Sequence, residues 1–290
     1  MQKDMLKVLE ENQSSFSKGQ RRIAAYIKES YDKAAFMTAN KLGKIAGVSE
    51  STVVRFAMEL GYDGYPSMQK AMQEMVLNRL TPSQRMGVAS DRIGDQDVVS
   101  MVLQSDMDKL RQTNDTIDRR DFRAAVDAIL RAKRIYILGV GSASMLAGFT
   151  AHYLRYMFEY VRCVTSSDAA DMFENLINVG SEDVVIAFSF PRYSASTVKA
   201  VRFCTNKGAK VVAVTNSTMS PLGQCSDHVL VAKSDMVSLV DSLVAPLSLV
   251  NALVVALAAA KRETLNNTFA TLEQVWHEYN VYEKSNDDDI

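Results

Sequence analysis

The spacing of apolar residues in this sequence changes after Arg134. Beyond this residue, five short apolar runs rich in β-branched residues alternate with segments long enough to form helices. The runs are Ile135–Leu138, Val161–Thr165, Val184–Phe190, Val211–Thr215 and Val229–Ala232. Strands that alternate with helices are typical of βαβ units, in which helices cover both faces of a parallel sheet. The sequence therefore predicts an α/β fold with a five-stranded parallel sheet, rather than an all-helical domain.

The first 77 residues are predicted to be helical throughout. Their apolar residues, such as Ile23, Tyr26 and Ile27, recur at the three- and four-residue spacing of amphipathic helices. The pattern fades between residues 78 and 98, where Thr81-Pro82-Ser83 and two glycines interrupt it as an interdomain linker would. We therefore expect four regions along the chain. They are a helical domain at 1–77, a linker at 78–106, an α/β domain at 107–262, and a C-terminal helix with an acidic tail at 263–290.

The segment Met37–Phe56 has the layout of a helix-turn-helix. Thr38 is suited to cap a first helix, and Gly47 allows the left-handed conformation that ends one. Ser49 is suited to cap a second helix over Glu50–Leu60. The inward positions of the first helix are predicted to be Leu42, Ile45 and the small Ala46, which permits a tight crossing of the two helices.

A helix-turn-helix of this kind places its second helix in the major groove of DNA. Five residues are then the candidate DNA contacts. They are Ser49, Ser51, Thr52 and Arg55 at the start of the second helix, and Lys44 on the first helix as a phosphate partner. Residues 1–80 hold 12 Lys and Arg against 9 Asp and Glu, so the net charge of this region is only weak evidence for DNA binding. The alternative is a plain helical hairpin with a glycine turn, but the hydroxyl-rich start of the second helix favours DNA binding.

The runs Ala46–Phe56 and Glu59–Pro66 closely resemble the RpiR/MurR family of transcriptional regulators. The resemblance is dense over residues 35–72 and is more specific than a general helix-turn-helix match. It implies a regulator whose N-terminal domain binds double-stranded operator DNA.

In the α/β domain, small hydroxyl residues follow the predicted strands. At the carboxyl ends of parallel strands, helix N-termini offer free N–H groups to anionic ligands. Ser142 and Ser144 follow the first strand, and four candidates follow the third. These four are Ser189, Arg192, Ser194 and Thr197. Hydroxyls and an arginine suit a phosphate group, although some of these hydroxyls are expected only to cap helices. The pair Gly139-x-Gly141 suggests a dinucleotide site, but Ser144 occupies the place of the third glycine and argues against it.

Residues 107–262 resemble a SIS (sugar isomerase) domain, the usual partner of an RpiR-type head. The resemblance rests on Gly139–Ser142, the 189–197 loop, Lys207–Thr215 and Ser220–Leu222. It implies a three-layer domain that binds a sugar-phosphate effector, with Ser189, Ser194 and Thr197 as the phosphate ligands. The sequence departs from the family in two places: Pro191-Arg192 replaces a Ser-Gly pair, and Ala143 replaces a hydroxyl residue.

A SIS domain also raises the alternative of a sugar-phosphate isomerase, which needs a general base beside the substrate. The candidates are Glu174, Glu159, His152 and His228. Nothing in their sequence surroundings marks any of them as a base, and a DNA-binding head explains more of the chain than catalysis does. We therefore expect a regulator with no catalytic residues. A nucleotide-binding scaffold with a helical domain that does not bind DNA is the third alternative.

The composition indicates a cytoplasmic protein. Three scattered cysteines point to a reducing compartment, without a disulfide framework or a zinc site, and three histidines argue against a metal centre. The longest apolar run, Ala252–Ala260, has nine residues, about half of what a membrane crossing needs. The N-terminus lacks a signal-peptide core. We expect no cofactor, metal or membrane partner.

A second helical stripe lies near the C-terminus and bears on assembly. Its apolar residues are Phe269, Leu272, Val275, Trp276, Tyr279 and Tyr282. Such a helix is suited equally to forming a dimer and to capping its own domain. The family resemblance implies a homodimer, or a dimer of dimers, that places two heads about 34 Å apart on a near-palindromic operator. We expect the sugar phosphate to change the affinity for that operator.

Overall fold

The computed structural model describes residues 9–79, apart from 11, 13 and 14, together with 97–234 and 241–282. These residues form two compact units that divide at Val98, and each unit is described by itself. Residues 80–96 of the predicted linker lie outside the described residues, as do residues 283–290 of the predicted acidic tail. The last part of the predicted linker is helical, since a helix begins at Val98. The domain limits stay predictions.

The first unit contains five helices among its described residues. They are α1 (Lys18–Glu29), α2 (Tyr31–Ala34), α3 (Ala39–Ala46), α4 (Glu50–Glu59) and α5 (Tyr65–Arg79). Ser17 and Gln20 form a capping box at the start of α1, where the Ser17 backbone N–H donates to Gln20 Oε1 at 2.8 Å. Phe16 and Phe56 pack edge to face in the core, with ring centroids 5.2 Å apart. The helical character expected of this region is confirmed for its described residues.

One core position predicted for α3 is wrong. Leu42 and Ala46 are buried, as predicted, but Ile45 is 46% exposed. The buried residues of α3 are Ala39, Leu42, Gly43 and Ala46, which recur at the spacing of one helical face. At about 100° per residue, Ile45 points about 110° away from the centre of this face. The inward stripe therefore passes through a glycine and leaves the larger Ile45 in solvent.

The second unit is a doubly wound α/β domain, as predicted. Its helices are α6 (Val98–Thr116), α7 (Arg119–Arg131), α8 (Ala143–Leu154), α9 (Ala169–Leu176), α10 (Ala195–Asn206), α11 (Val244–Ala260) and α12 (Arg262–Glu278), with a 3-10 turn at Gly223–Cys225. Its strands are β1 (Arg134–Leu138), β2 (Val161–Val164), β3 (Asp183–Phe188), β4 (Lys210–Thr215) and β5 (His228–Val231). The five strands are parallel and lie in the order β2-β1-β3-β4-β5. All six residues of the central strand β3 are buried.

Alternate residues of each strand face opposite sides of the sheet, and each side has its own helical layer. Ile186 on one side packs in a cluster with residues of α7, α8 and α11. Val185 on the other side packs with residues of α9 and α10. The period-2 alternation of buried strands thus produces the three-layer arrangement that the sequence predicts.

A charged pair fixes the amino ends of β1 and β3. Arg134 and Asp183 are register partners, and the Arg134 guanidinium donates to both carboxylate oxygens at 2.9 and 2.8 Å. The Asp183 side chain is fully buried, whereas 37% of the Arg134 side chain is exposed. The hydrogen bond to Asp183 raises the pKa of Arg134 above its ordinary value. This pair lies at the sheet edge opposite to the carboxyl ends of the strands.

The C-terminal helix α12 contains no buried residue. Phe269 touches Tyr156 in the turn after α8, with ring centroids 5.4 Å apart, and is still 37% exposed. Val275 is 41% exposed and Tyr279 is 70% exposed. Among the described helices, none is long and apolar enough to cross a membrane alone, although α11 and α12, bent by 95°, pass that test as a pair.

Candidate functional site

The α3–α4 corner is closed by local capping bonds. Thr38 Oγ1 accepts from the Lys41 backbone N–H at 3.2 Å, and Ser49 Oγ accepts from the Thr52 backbone N–H at 3.3 Å. Gly47 has φ +64°, the left-handed conformation that ends α3. These three caps are the ones that the sequence predicts. Together they end α3 at Ala46 and begin α4 at Glu50, with three residues between the helices.

Gly43 is a further requirement of this corner that the sequence reasoning missed. A Cβ atom at Gly43 would lie 2.9 Å from the Val48 carbonyl oxygen, so α3 approaches the turn too closely for any side chain. The Val48 backbone N–H also donates to the Gly43 carbonyl at 2.9 Å. A glycine inside a predicted helix, on the face that carries Leu42 and Ala46, is the signal that would have identified this requirement.

Four of the five predicted DNA contacts lie together at the start of α4, and the fifth, Lys44, is on α3. Lys44, Ser49, Ser51 and Arg55 are exposed, and Thr52 is half-buried. Ser49 Oγ lies 2.9 Å from Ser51 Oγ and 2.8 Å from Thr52 Oγ1, so the three hydroxyls form one cluster. Arg55 Nε donates to the Ser51 carbonyl at 3.4 Å, which leaves its terminal nitrogens at the surface beside this cluster. The arrangement offers hydroxyl and guanidinium groups on one exposed helix end.

Other polar contacts hold this corner and were not predicted. Asn40 Nδ2 donates to Glu50 Oε2 at 3.2 Å and ties α3 to α4. Arg22 of α1 donates from Nη2 to the Gly47 carbonyl oxygen at 2.8 Å. The second contact joins residues 25 positions apart, and no local pattern in the sequence indicates it.

In the second unit, the order β1-β3-β4 brings three polar loops to one edge of the sheet. Ser189 follows β3 directly, is buried, and donates its backbone N–H to Val214 of β4 at 3.3 Å. Ser142 and Ser144 follow the neighbouring strand β1, and Asn216 follows β4. The predicted effector residues therefore lie on adjacent strands at the same edge, where parallel sheets bind ligands.

The first turn of α10 contains an unsatisfied hydroxyl. Ser194 caps the helix by accepting from the Thr197 backbone N–H at 3.2 Å, and its Oγ lies 2.8 Å from Ser196 Oγ. Thr197 is fully buried, and among the described residues no group forms a hydrogen bond with its Oγ1. Buried hydroxyls are nearly always hydrogen-bonded, so this oxygen marks a place where a partner is expected.

The loop before α10 has an unusual backbone conformation. Arg192 is exposed and has φ +63°, a value uncommon for a residue with a side chain. The next residue, Tyr193, donates its hydroxyl proton to Asn216 Oδ1 at 2.8 Å and ties this loop to the loop after β4. The sequence alone does not predict this bond, because it joins residues that become neighbours only through the strand order.

The loop after β1 is shaped by two glycines. A Cβ atom at Gly139 would lie 2.6 Å from the Ala143 carbonyl oxygen, and Gly141 has φ +61°. Ser144 Oγ donates to the Gly141 carbonyl at 2.6 Å, whereas Ser142 is exposed and makes no capping bond with its side chain. Of these two candidates, Ser142 has the hydroxyl that is not used to close the turn.

The candidate general bases of the isomerase alternative are dispersed. His228 is the first residue of β5, at the amino end of the sheet, and its Nδ1 lies 2.7 Å from Asp121 Oδ1. Glu159 lines a groove with Arg134 at the same amino end. His152 lies on α8 within 3.2 Å of the Tyr156 hydroxyl, and Glu174 is exposed on α9. Glu159 and His228 are therefore at the edge opposite to the hydroxyl loops.

Both parts of the chain match known protein families. Residues 3–78 match the helix-turn-helix domain of the rpiR family, and residues 128–256 match the SIS domain. An uncharacterized HTH-type transcriptional regulator of Clostridium perfringens is 26% identical over 228 residues, which is 78% of this chain and 80% of that protein. These matches confirm the resemblance of the first unit to RpiR-type regulators and of the second unit to SIS domains.

Two solved structures are similar to the chain. The sugar isomerase domain of an RpiR transcription factor from Sphaerobacter thermophilus has a TM-score of 0.59 at 28% identity and covers 62% of this chain and 99% of that one. The Vibrio vulnificus NanR protein complexed with ManNAc-6P has a TM-score of 0.58 at 26% identity. Its match covers 94% of this chain and 98% of the Vibrio protein, so it includes both units.

Proposed function

The chain belongs to the RpiR family of helix-turn-helix transcriptional regulators, and from this premise we propose that a phosphorylated sugar controls its affinity for operator DNA. The first unit binds the operator through α4, and the sugar phosphate binds at the carboxyl edge of the sheet in the second unit. The protein is a cytoplasmic homodimer, or a dimer of dimers, that presents two heads to a near-palindromic operator.

The observation that carries the proposal is the unpaired hydroxyl of Thr197. A buried hydroxyl without a partner costs about 1–3 kcal/mol, so its retention calls for a compensating role. Thr197 lies in the first turn of α10, where backbone N–H groups and the helix dipole favour an anion. A phosphate oxygen accepting from Thr197 Oγ1 removes this cost, and the neighbouring Ser194 supplies a further hydroxyl.

The similarity to the Vibrio protein supports the class of ligand. That protein is complexed with ManNAc-6P, a phosphorylated amino sugar, and the match extends over nearly the whole of both chains. We assign the phosphate to Ser189, Ser194 and Thr197, with Ser142 of the β1 loop facing the sugar. Arg192, which is exposed in the loop before α10, replaces a residue of the usual family loop and contributes a charged contact to the phosphate.

For the DNA, we assign base contacts to the exposed end of α4. Ser51 and Arg55 have the hydrogen-bonding groups that read base edges in the major groove. Ser49 and Thr52 share their hydroxyls within the local cluster and orient Ser51, and Lys44 on α3 contacts a backbone phosphate.

For the ligand to control DNA binding, its site must be connected to α6, the first helix of the second unit in the sequence. Lys233 and Ser242, which both follow β5 in the chain, are bonded to α6. Ser242 Oγ donates to Asp106 Oδ1 at 2.6 Å, and the Lys233 backbone N–H donates to Thr113 Oγ1 at 3.0 Å. We propose that ligand binding shifts Lys233 and Ser242 and that α6 transmits the shift, since α6 begins at Val98, within the predicted linker.

We propose ligand binding without turnover. The carboxyl edge holds hydroxyls and amide groups, and two of the four candidate bases lie at the opposite edge. Glu174 is the base candidate to test, because α9 follows β2. An isomerase would interconvert the aldose and ketose forms of a bound sugar phosphate and would lose this turnover in Glu174→Gln, whereas a sensor binds the sugar phosphate unchanged.

A thermal-shift screen tests the ligand, using sugar phosphates paired with their unphosphorylated parents. A ligand that binds the native state at 100 times its Kd adds about 2.7 kcal/mol of stability. We expect hits that require the phosphate and that disappear in Ser194→Ala. Ser217→Ala, in the neighbouring loop, is the matched control. A panel in which phosphorylated and parent sugars behave alike would contradict the proposal.

Control of DNA binding is tested on an operator selected from a random duplex library. At saturating ligand, a coupling free energy of about 1–3 kcal/mol corresponds to a change of about 5–150-fold in operator affinity. Ser242→Ala should reduce this factor without changing the affinity for the ligand. An operator affinity that is the same with and without a confirmed ligand would refute control, while leaving DNA binding and ligand binding intact.

A further inference from the structure

Arg22 lies over the turn of the helix-turn-helix although it belongs to α1. Its Nη2 donates to the Gly47 carbonyl oxygen at 2.8 Å. A Cβ atom built on Gly47 would lie 3.1 Å from Arg22 Nη1, so the guanidinium covers the turn closely. The backbone of α1 is also close to this corner, because a Cβ atom at Gly19 would lie 3.2 Å from Val48 Cγ1. α1 therefore reaches the side of the corner at which α4 begins.

The charge of Arg22 is not neutralised by this contact. The bond to Gly47 is made to a neutral carbonyl and uses one of five N–H donors of the guanidinium. Within the part of the chain that the structure describes, Arg22 is in no salt bridge, and it is exposed. Lys18 lies one helical turn earlier on the same face of α1 and is also exposed. A neutral donor would satisfy the Gly47 carbonyl equally well, so the positive charge requires another explanation.

A third cation lies beside the same turn. Lys44 is exposed, and its carbonyl accepts from the Gly47 backbone N–H at 3.3 Å, which places its backbone next to the residue that Arg22 holds. The guanidinium has a planar set of donors that matches a phosphate group. Such a group binds DNA through the backbone phosphates at the border of the groove that the recognition helix enters.

We propose that Arg22 is a DNA-contacting residue from outside the helix-turn-helix: it binds a backbone phosphate with its free N–H groups while it holds the Gly47 carbonyl. Lys18 extends this phosphate contact along α1. The double role links the shape of the turn to the position of the DNA backbone, because the same guanidinium bonds to both. The inference depends on the DNA binding of the first unit and is independent of the sugar phosphate.

The experiment measures the salt dependence of binding by the full-length chain to a mixed-sequence duplex of about 30 base pairs, because non-specific affinity arises from phosphate contacts. Each phosphate contact contributes about 0.9 to the slope of log K against log salt concentration. Arg22→Gln keeps an amide donor for Gly47 but removes the charge, and Arg22→Lys keeps the charge. Lys28→Gln is the matched control, since Lys28 lies at the other end of α1 and pairs with Glu10 at 3.2 Å.

We expect the slope to fall by about 0.9 in Arg22→Gln and to stay at the wild-type value in Arg22→Lys and Lys28→Gln. Lys18→Gln should also lower the slope, and it tests the same surface if Arg22→Gln does not fold. A role limited to holding the turn predicts an unchanged slope in every variant, and that result would overturn the proposal. A slope that falls equally in Lys28→Gln would overturn it too, because the effect would then follow net charge rather than a contact.

Discussion

Replacing Thr197 by valine should stabilise the ligand-free protein and weaken its binding of a sugar phosphate. Valine has nearly the shape of threonine but lacks the hydroxyl, whose oxygen is buried and has no hydrogen-bond partner among the described residues. The change keeps the capping bond from the Thr197 backbone N–H to Ser194, since that bond does not use the side chain. Stability and ligand affinity should therefore change in opposite directions.

The expected sizes follow from the environment of this one oxygen. An unpaired buried hydroxyl costs about 1–3 kcal/mol, and its removal recovers most of that free energy. Each kcal/mol shifts the thermal midpoint of a domain of this size by about 2–4 °C. A hydrogen bond to a charged phosphate contributes about 1.5–3 kcal/mol, so its loss should weaken ligand binding by about 10–150-fold.

Thermal and urea unfolding of the full chain measure the first effect, and calorimetric titration with the ligand found by the screen measures the second. Thr150→Val is the matched control in the same unit. Thr150 is also fully buried, but its Oγ1 donates to the Leu146 carbonyl at 2.6 Å. Removal of that satisfied hydroxyl should cost about 0.5–1.5 kcal/mol. The two threonine-to-valine changes thus have opposite predicted signs.

A Thr197→Val protein that is less stable than wild type without ligand would mean that the hydroxyl has a partner in solution, and the predicted gain in stability would be wrong. Full ligand affinity in the same variant would remove Thr197 from the phosphate site. If Thr150→Val also stabilises the protein, the effect is that of valine itself and says nothing about an unpaired oxygen.

Three further changes probe other parts of the fold. Gly47→Ala should destabilise the first unit by about 1–2 kcal/mol in urea unfolding, since φ is +64° and the new Cβ would lie 3.1 Å from Arg22. Arg134→Ala should cost about 3 kcal/mol in the same assay, because it leaves the buried Asp183 carboxylate without its cation. Burial raises the pKa of Tyr65 to about 12, so the stabilisation that this phenol provides below pH 10 should be lost as the pH rises towards 12. Tyr65→Phe should remove that loss, and the difference between the urea midpoints of wild type and variant should narrow from pH 9 to pH 11.5.

Each of these predictions has an outcome that contradicts it. Gly61 has φ +88° and open space around the position of a Cβ, so Gly61→Ala isolates the backbone penalty from the contact with Arg22. Equal costs for the two glycines would mean that the contact at Gly47 adds nothing. If Arg134→Ala leaves the free energy of unfolding unchanged, solvent must reach the Asp183 carboxylate. A constant difference between wild type and Tyr65→Phe across the alkaline range would mean that the phenol ionises equally in the folded and unfolded chain.

The sequence predicted the local features of the fold well. The five strands lie within one or two residues of their predicted limits, because buried parallel strands are short β-branched runs with clear ends. The helix caps at Thr38, Gly47 and Ser49 were also correct, since each depends on one residue and its immediate neighbours. The order of the strands did not follow from the pattern, because alternation of strands and helices is compatible with several orders.

What the sequence missed depends on contacts between distant residues. Ile45 was assigned to the core because its spacing from Leu42 fits a helix, but the helix presents its glycine face to the interior instead. The contacts Arg22–Gly47 and Tyr193–Asn216 join residues 25 and 23 positions apart. Such pairs become visible only when the helices and strands are placed in space. The assigned ligands of DNA and phosphate stay predictions until the variants are measured.

The exposure of α12 has a consequence for hydrogen exchange. No side chain of this 17-residue helix is buried, and an isolated helix of that length is marginal in water. Its amide protons should therefore exchange through local fraying, many orders of magnitude faster than those of the fully buried strand β3. If the amide protons of α12 become more protected as the protein concentration rises, while those of β3 do not change, the chains associate through α12. The protected amides then identify the residues that are covered. One labelled sample thus contains both an internal standard in the sheet and a reporter of assembly at the surface.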